Sequence, residues 1–411
     1  MGNMIGSGVF LLPASLAPYG GISLIGWTVS TVGAVVLALM FARLASFYPA
    51  PGGPYAYTRE AYGDLAGFLV AWGYLISVWA TNAALAVAFV GYLGAVVRTA
   101  VSSSPVSATI AVGLVWLLTA VNVSGVKPAA RVQLVTTVLK IAPLVLIGIA
   151  GTLWLQPSHF ALKASASGFG KDLMATATLT LFALLGLECA TIPAGETADA
   201  RRTIPRATMT GTLLTAIIYV VSTIGVMSLL DPAVLGQSSA PFADAARSLA
   251  GNKAAALVAL GAAISCFGAL NGWILISGQI PMAVAQDGLF PAFFGRLSRR
   301  GTPANAMIVG SAFATGLIAM NYSRSLVEIF TFIILLATLS SLVPFAFCSL
   351  AGFIMRRRDA TLPWSTGATI VSLVAFVYTL FTIAGAGPDV VFYGFLLLLA
   401  GLPLYVWVAK L

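Results

Sequence analysis

The chain has 411 residues, of which 59% are hydrophobic and only 8% charged, with a mean hydropathy of +0.99. No soluble core needs so much apolar sequence, and the apolar runs are far longer than the ~10 residues of a barrel strand. The composition therefore defines an all-α polytopic membrane protein. The net charge of +9 does not imply a nucleic-acid partner, because basic loops set the orientation of membrane proteins; the partner implied is the lipid bilayer.

The first eight residues, Met1-Gly2-Asn3-Met4-Ile5-Gly6-Ser7-Gly8, combine three glycines with small polar side chains. Gly6-Ser7-Gly8 can leave helical φ/ψ cheaply, and a helix is expected at once, over 9–17. Unwound backbone feeding a helix N-terminus favours an anion such as a carboxylate. A Gly2-xxx-Gly6 helix-packing pair is the plainer alternative. The predicted helix spans ~14 Å, about half of a ~30 Å hydrocarbon core. The expectation from this half crossing is that the first span has a leading half, and the chain its true start, upstream of Met1.

Eleven long apolar segments follow, at 22–47, 65–97, 105–123, 132–155, 173–194, 207–230, 254–285, 304–320, 326–355, 366–386 and 390–409. With the opening segment they make about 12 spans. Pro49-Ala50-Pro51-Gly52-Gly53-Pro54 reads as a turn or re-entrant segment, and 241–247 as a short interfacial helix. Arg43 and Arg59 share one side with Lys127, Arg131, Arg201, Arg202, Arg206, Arg296, Arg299, Arg300, Arg356, Arg357, Arg358 and Lys410. The other side holds Arg98, Lys163, Lys171, Arg247, Lys253 and Arg324. The bias of 14 against 6 puts the first side, and the C-terminus, in the cytoplasm.

Two ionisable residues interrupt spans, Lys140 and Glu188. A charge at mid-bilayer costs ~2.5–3.5 kcal/mol on insertion scales, so each needs a partner, water or a neutral state. Lys140 could also snorkel toward the inner surface, and Glu188 could be a neutral packing residue. Gly186, Pro193 and Gly195 give the Glu188 span the means to break its helix. Two interrupted spans at matching places in two halves point to an inverted-repeat transporter with a midplane site. Asn82 and Trp273 lie mid-span and can face that site, the indole offering its face to a cation. Cys189, Cys266 and Cys348 lie inside apolar runs and give no disulfide framework or metal spacing, and no cofactor is implied. His159, in a loop beside Pro157, is read as incidental, and the chain has no His-Glu-x-x-His pattern, which argues against an enzyme. Nor are there charged rings or repeated filter loops, as a channel would need.

The run from Gly2 to Pro13, Pro51-Gly52-Gly53-Pro54-Tyr55-Ala56-Tyr57, Gly186-Leu187-Glu188, Pro241-Phe242-Ala243-Asp244-Ala245-Ala246-Arg247, Gly272-Trp273 and Asp287-Gly288-Leu289-Phe290-Pro291 together resemble the amino acid–polyamine–organocation (APC) superfamily. Within it the chain resembles the basic amino acid/polyamine antiporters, arginine/agmatine exchangers among them. The resemblance covers nearly the whole chain. It implies a five-plus-five inverted-repeat fold with broken first and sixth helices, the repeats at 1–155 and 172–355 and two added helices at 366–409 within one domain of 1–411. It also implies a homodimer in the bacterial inner membrane.

Residue roles are likewise implied by the resemblance. Gly6, Ser7 and Gly8 would meet the substrate carboxylate, and the carbonyls of Met4, Phe182 and Leu185 its α-ammonium. Trp273 would stack on the side-chain cation, with Ser77, Val78, Asn82, Leu85 and Ala337 around the far end. Tyr74, Glu188 and Phe345 resemble the inner gate. Phe182 and Ala337 depart from the arginine-exchanger pattern, which has tryptophan and serine there. Lys140 stands where proton-coupled permeases of the superfamily carry a lysine. Desolvation favours its neutral form and nearby carbonyls its charged form. The expected function is exchange of a cationic amino acid (arginine-like) for its decarboxylated amine (agmatine-like). The alternative is proton-coupled uptake through Lys140, with Glu188 as a second candidate in coupling and a neutral or broad substrate range.

Overall fold

Lipid offers no hydrogen bonds, so apolar runs of this length fold as helices that satisfy their own backbone. The computed structural model describes residues 4–50, 52–162, 165, 168–192, 199–320, 326–362 and 364–409, with the backbone path alone at 126–139, 200, 326, 329 and 409. Of the residues singled out above, Met1, Gly2, Asn3, Pro51, Lys163, Pro193, Gly195, Arg324 and Lys410 lie outside the described residues, as do the side chains of Lys127 and Arg131.

The α-helices run in order as α1 (Ser7–Leu16), α2 (Ile22–Phe47), α3 (Pro54–Tyr62), α4 (Asp64–Val96), α5 (Ser104–Val123), α6 (Val126–Leu153) and α7 (Phe169–Leu184). They continue as α8 (Ala200–Leu229), α9 (Pro232–Leu235), α10 (Pro241–Gln286), α11 (Ala304–Met320), α12 (Leu326–Arg358), α13 (Thr366–Gly385), α14 (Pro388–Leu399) and α15 (Leu402–Ala409). Among the described residues, nine helical stretches are long and apolar enough to cross a membrane. The shorter apolar stretches Lys140–Leu153 and Ala304–Met320 account for the other two expected segments.

Among the boundaries that differ from the sequence reading, α1, α6 and α8 start 2 to 7 residues early, and four differ in kind, each for a local reason. The turn at 49–54 stops at Gly53 (φ +53), and Pro54 opens the helix α3, since proline suits a first helical position. The expected span 173–194 ends as an α-helix at Leu184 and continues, after Leu185 and Gly186, as a 3-10 turn over Leu187–Thr191. The segments at 241–247 and 254–285 join into α10, with non-helical backbone at Ala250 and at Gly251 (φ +76) between them. The last span, 390–409, divides into α14 and α15.

The most apolar part of α4 is 94% buried, whereas that of the Pro388–Val408 stretch is 11% buried. So α4 is the axial helix, packed against α10, α12, α5 and α11, and the C-terminal pair lies at the rim. On the other flank α2 packs on α7 and α8, and α8 on α6. The α6–α8 seam runs over small residues: a Cβ placed on Gly225 would come within 2.6 Å of the Ile147 carbonyl oxygen. Such contacts let helix backbones approach where no hydrophobic force separates helix from lipid.

Candidate functional site

Two helices break where they meet. Backbone Met4–Gly6 is irregular, with Gly6 extended (φ −148, ψ −139), and α1 starts at Ser7. Opposite it, α7 ends at Leu184, Leu185 is extended, and Gly186 is left-handed at φ +97. The approach is close enough that a Cβ on Gly8 would lie 2.7 Å from Ala183 Cα. The start of α1 offers unpaired N–H groups and the positive dipole end; the finish of α7 offers carbonyls and the negative end. One place is thus suited to both charges of an amino acid.

A cavity lies at these breaks, lined by Met4, Gly6, Ser7, Gly8, Thr81, Leu85, Phe182, Leu185 and Trp273. Its free volume is about 10 Å³, room for about one water molecule. Ser77, Val78, Asn82 and Ala337, expected at the far end, are buried but off its wall. Ser77 instead shares a 2.5 Å hydrogen bond with Ser341 of α12. The Ser7 hydroxyl, the Thr81 hydroxyl and both amide atoms of Asn82 are buried and have no hydrogen-bond partner among the described residues. Phe182 packs edge-on against Phe330 of α12, ring centroids 6.0 Å apart. A larger cavity of about 590 Å³ lies near the C-terminal end of α1, lined in part by Ser15, Tyr19, Leu179, Glu328 and Thr331.

Neighbouring helices hold the irregular start. Lys140 is fully buried and its Nζ donates to the Ile5 carbonyl at 2.6 Å. The Tyr219 hydroxyl donates to the Met4 carbonyl at 2.7 Å, so one expected acceptor for the ammonium already has a partner. Another, the Phe182 carbonyl, accepts the Leu185 N–H at 3.1 Å. Carbonyl oxygens carry two lone pairs, so both can still receive a second donor.

On the far side of Gly186, Glu188 is fully buried. Its carboxylate accepts from the Tyr74 hydroxyl at 2.5 Å and from the Gly186 N–H at 3.1 Å. This pair joins α4 to the segment after the α7 break. Phe345, grouped with them in the sequence reading, packs edge-on against Phe41, 5.2 Å between centroids.

Three contributors were not anticipated. Thr81 sits on the cavity wall beside the expected Asn82; a 100° step per residue separates adjacent helical positions, and the apolar residues around both conceal the helix phase. Tyr219 was detectable only as a polar tip in the apolar run Ala216-Ile217-Ile218-Tyr219. Nothing in sequence marked Phe330 as the partner of Phe182.

Broken membrane helices facing a small, partly polar cavity inside the bundle are the architecture of a secondary transporter. Residues 1–399 match the amino acid permease family, and the chain belongs to it. The cadaverine/lysine antiporter of Escherichia coli (strain K12) is 35% identical over 325 residues, 78% of this chain and 72% of that protein. The putrescine transporter of the same strain is 30% identical over 415 residues, 98% of this chain and 93% of that protein. The protein is a membrane transporter of small amino acid or amine substrates, of the basic amino acid/polyamine antiporter type, and not an enzyme.

Proposed function

We propose that the protein exchanges a basic amino acid for its decarboxylated amine, with the α1–α7 breaks and Trp273 as its binding site. The observation that carries this reading is the single cavity shared by the α1 start, the α7 end and the Trp273 indole. Ser7 and Gly8 receive the carboxylate, and the α7 carbonyls the α-ammonium. Trp273 faces the side-chain cation, because a desolvated indole attracts a cation by up to about 2 kcal/mol. Phe182 stands on the cavity wall where the arginine exchangers have a tryptophan, so an alkylammonium of the lysine/cadaverine kind suits the pocket better than a guanidinium. The relative whose name pairs cadaverine with lysine supports the same choice.

The reading places the protein in a bacterial inner membrane as a homodimer, with the α3 end of the bundle and the C-terminus in the cytoplasm by the positive-inside rule. The repeats would cover 1–155 and 172–355, with 366–409 added. Tyr74 and Glu188 then form part of the inner gate, and the 590 Å³ cavity is the outer vestibule. Counterflow in proteoliposomes preloaded with unlabelled lysine tests the substrate. Labelled lysine and cadaverine should accumulate well above labelled arginine and neutral amino acids; no accumulation of any basic amino acid or diamine overturns the reading.

One observation favours a second reading, proton-coupled uptake. Lys140 reaches the irregular start of α1 at the Ile5 carbonyl, where gain or loss of its proton would alter the grip on the binding segment. Transport that follows an imposed pH gradient would select it.

A further inference from the structure

The helix α3 carries one sequence motif that the substrate site does not use and meets a second at the end of α10, and the fold sets it across a seam. Its N-terminal turn touches the segment that follows the α7 break. The Gly52 N–H donates to the Ile192 carbonyl at 3.1 Å, and a Cβ on Gly53 would lie 2.6 Å from Thr191 Oγ1. That segment holds Glu188. The buried face of α3 lies on α12, where Thr58 Oγ1 and Cys348 Sγ are 3.7 Å apart and the Cys348 thiol donates to the Pro54 carbonyl at 3.5 Å. Its remaining edge reaches the end of α10, the helix that carries Trp273. There Asp287 Oδ2 accepts from the Tyr55 hydroxyl at 2.7 Å and pairs with Arg59 Nη1 at 2.9 Å. Burial first, and the Asp287 carboxylate second, push the Tyr55 phenol well up, so it stays a neutral donor. Arg59 also pairs with Asp64, at 2.8 Å, but Asp64 begins the helix next to α3 and ties nothing distant.

The motif Pro51–Tyr57 and the motif Asp287–Pro291 therefore meet. Alternating access requires one set of helices to rock against another about the site. The cavity wall draws Phe182 and Leu185 from the α7 side and Trp273 from α10, and the Glu188 segment that follows α7 and the end of α10 are both fastened to α3. Opening between them must stretch or release one fastening. The Gly52–Ile192 contact is a backbone bond in a buried turn. The Arg59–Asp287 pair is the accessible one, with side chains 34% and 42% exposed.

We propose that Arg59, Asp287 and Tyr55 form a cytoplasmic latch: they are positioning residues that hold α3 across the inner mouth and set how often it opens. The location of the latch on the cytoplasmic face rests on the transporter reading above. Partly exposed ion pairs are weak, so release shifts the population a few-fold and leaves the fold intact.

The native Cys189 thiol, half-buried and 3.9 Å from the Tyr74 hydroxyl, reports the opening. Its labelling by a membrane-impermeant maleimide, applied to the cytoplasmic face of inside-out vesicles and assigned by mass spectrometry, is the measurement. Asp287→Asn and Arg59→Gln should each raise the rate about 2- to 5-fold, and the double variant no further. Asp64→Asn should match wild type. Raising salt from about 0.01 to about 1 M, which shortens the Debye length from ~30 to ~3 Å, should speed wild-type labelling and leave the double variant unchanged. The salt response needs no substitution, so it stands even if a variant fails to fold. Single variants that label at the wild-type rate, or effects that add fully in the double, overturn the latch. Labelling reads conformation without substrate. Failure of every amine to exchange would therefore remove the substrate reading and leave the latch standing.

Discussion

Trp273 is 2% exposed and lies on the cavity wall, with Gly272 beside it in sequence. Its ring can lower the energy of a cation without a counter-charge that would have to be desolvated as well. Trp273→Leu should weaken a cationic ligand about 2- to 30-fold, from a lost ~0.5–2 kcal/mol. Binding of lysine and of its uncharged isostere norleucine, measured side by side, checks this: only lysine should suffer. At Lys140 the expected outcome depends on the driving force. Lys140→Ala takes the donor from the buried Ile5 carbonyl, a loss of ~1–3 kcal/mol if nothing replaces it. It should slow exchange at equal pH but abolish any uptake driven by a pH gradient. Vesicle uptake with and without the gradient separates the two, and a wild type indifferent to the gradient makes Lys140 structural. Residues of this kind are legible in sequence because they violate the solvent: a lysine, a glutamate or a run of glycines in lipid demands a reason. Thr81 violates nothing, since a hydroxyl can bond to its own helix, so its place on the wall becomes visible only when the phase of α4 is known.

The elements obey the same division. The breaks before Ser7 and after Leu184 were legible from their glycines: Gly186 takes a left-handed φ of +97, and at Gly6 an added Cβ would lie 2.8 Å from Leu85 Cδ2. The helix α3 was obscured by the Pro-Gly-Gly-Pro run before it, which reads as pure turn although its last proline begins a helix. The joining of 241–247 to the following span was not legible either, because Gly251 there absorbs a kink rather than an end. Close approach of α1 and α7 makes a sharp prediction. A methyl at Gly8 would press on the Ala183 backbone at 2.7 Å, and backbone cannot rotate aside as a side chain can. Gly8→Ala should cost about 1–3 kcal/mol through overpacking and lower the melting temperature in detergent. Gly113→Ala, with nothing within 4 Å of the added methyl, should be neutral or mildly stabilising. Equal melting shifts for the two variants would mean that the α1–α7 contact does not constrain the fold.

For the molecule as a whole, the order of apolar segments conveyed a polytopic helical transporter, since lipid leaves few alternatives for such runs. Which helices surround α4 could not be read, because helix neighbours in lipid are chosen by shape and small residues rather than by a hydrophobic stripe. The assembled bundle then makes a statement about coupling that no single residue makes. Closed around about 10 Å³, it leaves the wall hydroxyls of Ser7 and Thr81, and the amide of Asn82 behind the wall, without partners among the described residues. With room for at most about one water, the empty closed cavity meets the wall hydroxyls of Ser7 and Thr81 poorly, and both stay unmet when it is dry. Each unmet group costs ~1–3 kcal/mol. A substrate widens the pocket around itself and, once seated, can bond to the wall hydroxyls of Ser7 and Thr81, which removes their cost, so the loaded transporter closes more easily than the empty one. With the two wall hydroxyls unmet, at the lower ~1–2 kcal/mol of that range each, the difference is about 2–4 kcal/mol, or about 30- to 1,000-fold in rate. Exchange should therefore outrun net efflux into substrate-free buffer by that ratio. Thr81→Val keeps the shape and deletes one stranded hydroxyl, so it should raise net efflux several-fold while weakening substrate binding, and narrow the ratio from both directions. Efflux of labelled lysine from proteoliposomes, timed with and without external lysine, measures it. Net efflux as fast as exchange in the wild type would show that the stranded groups do not hold back the empty carrier.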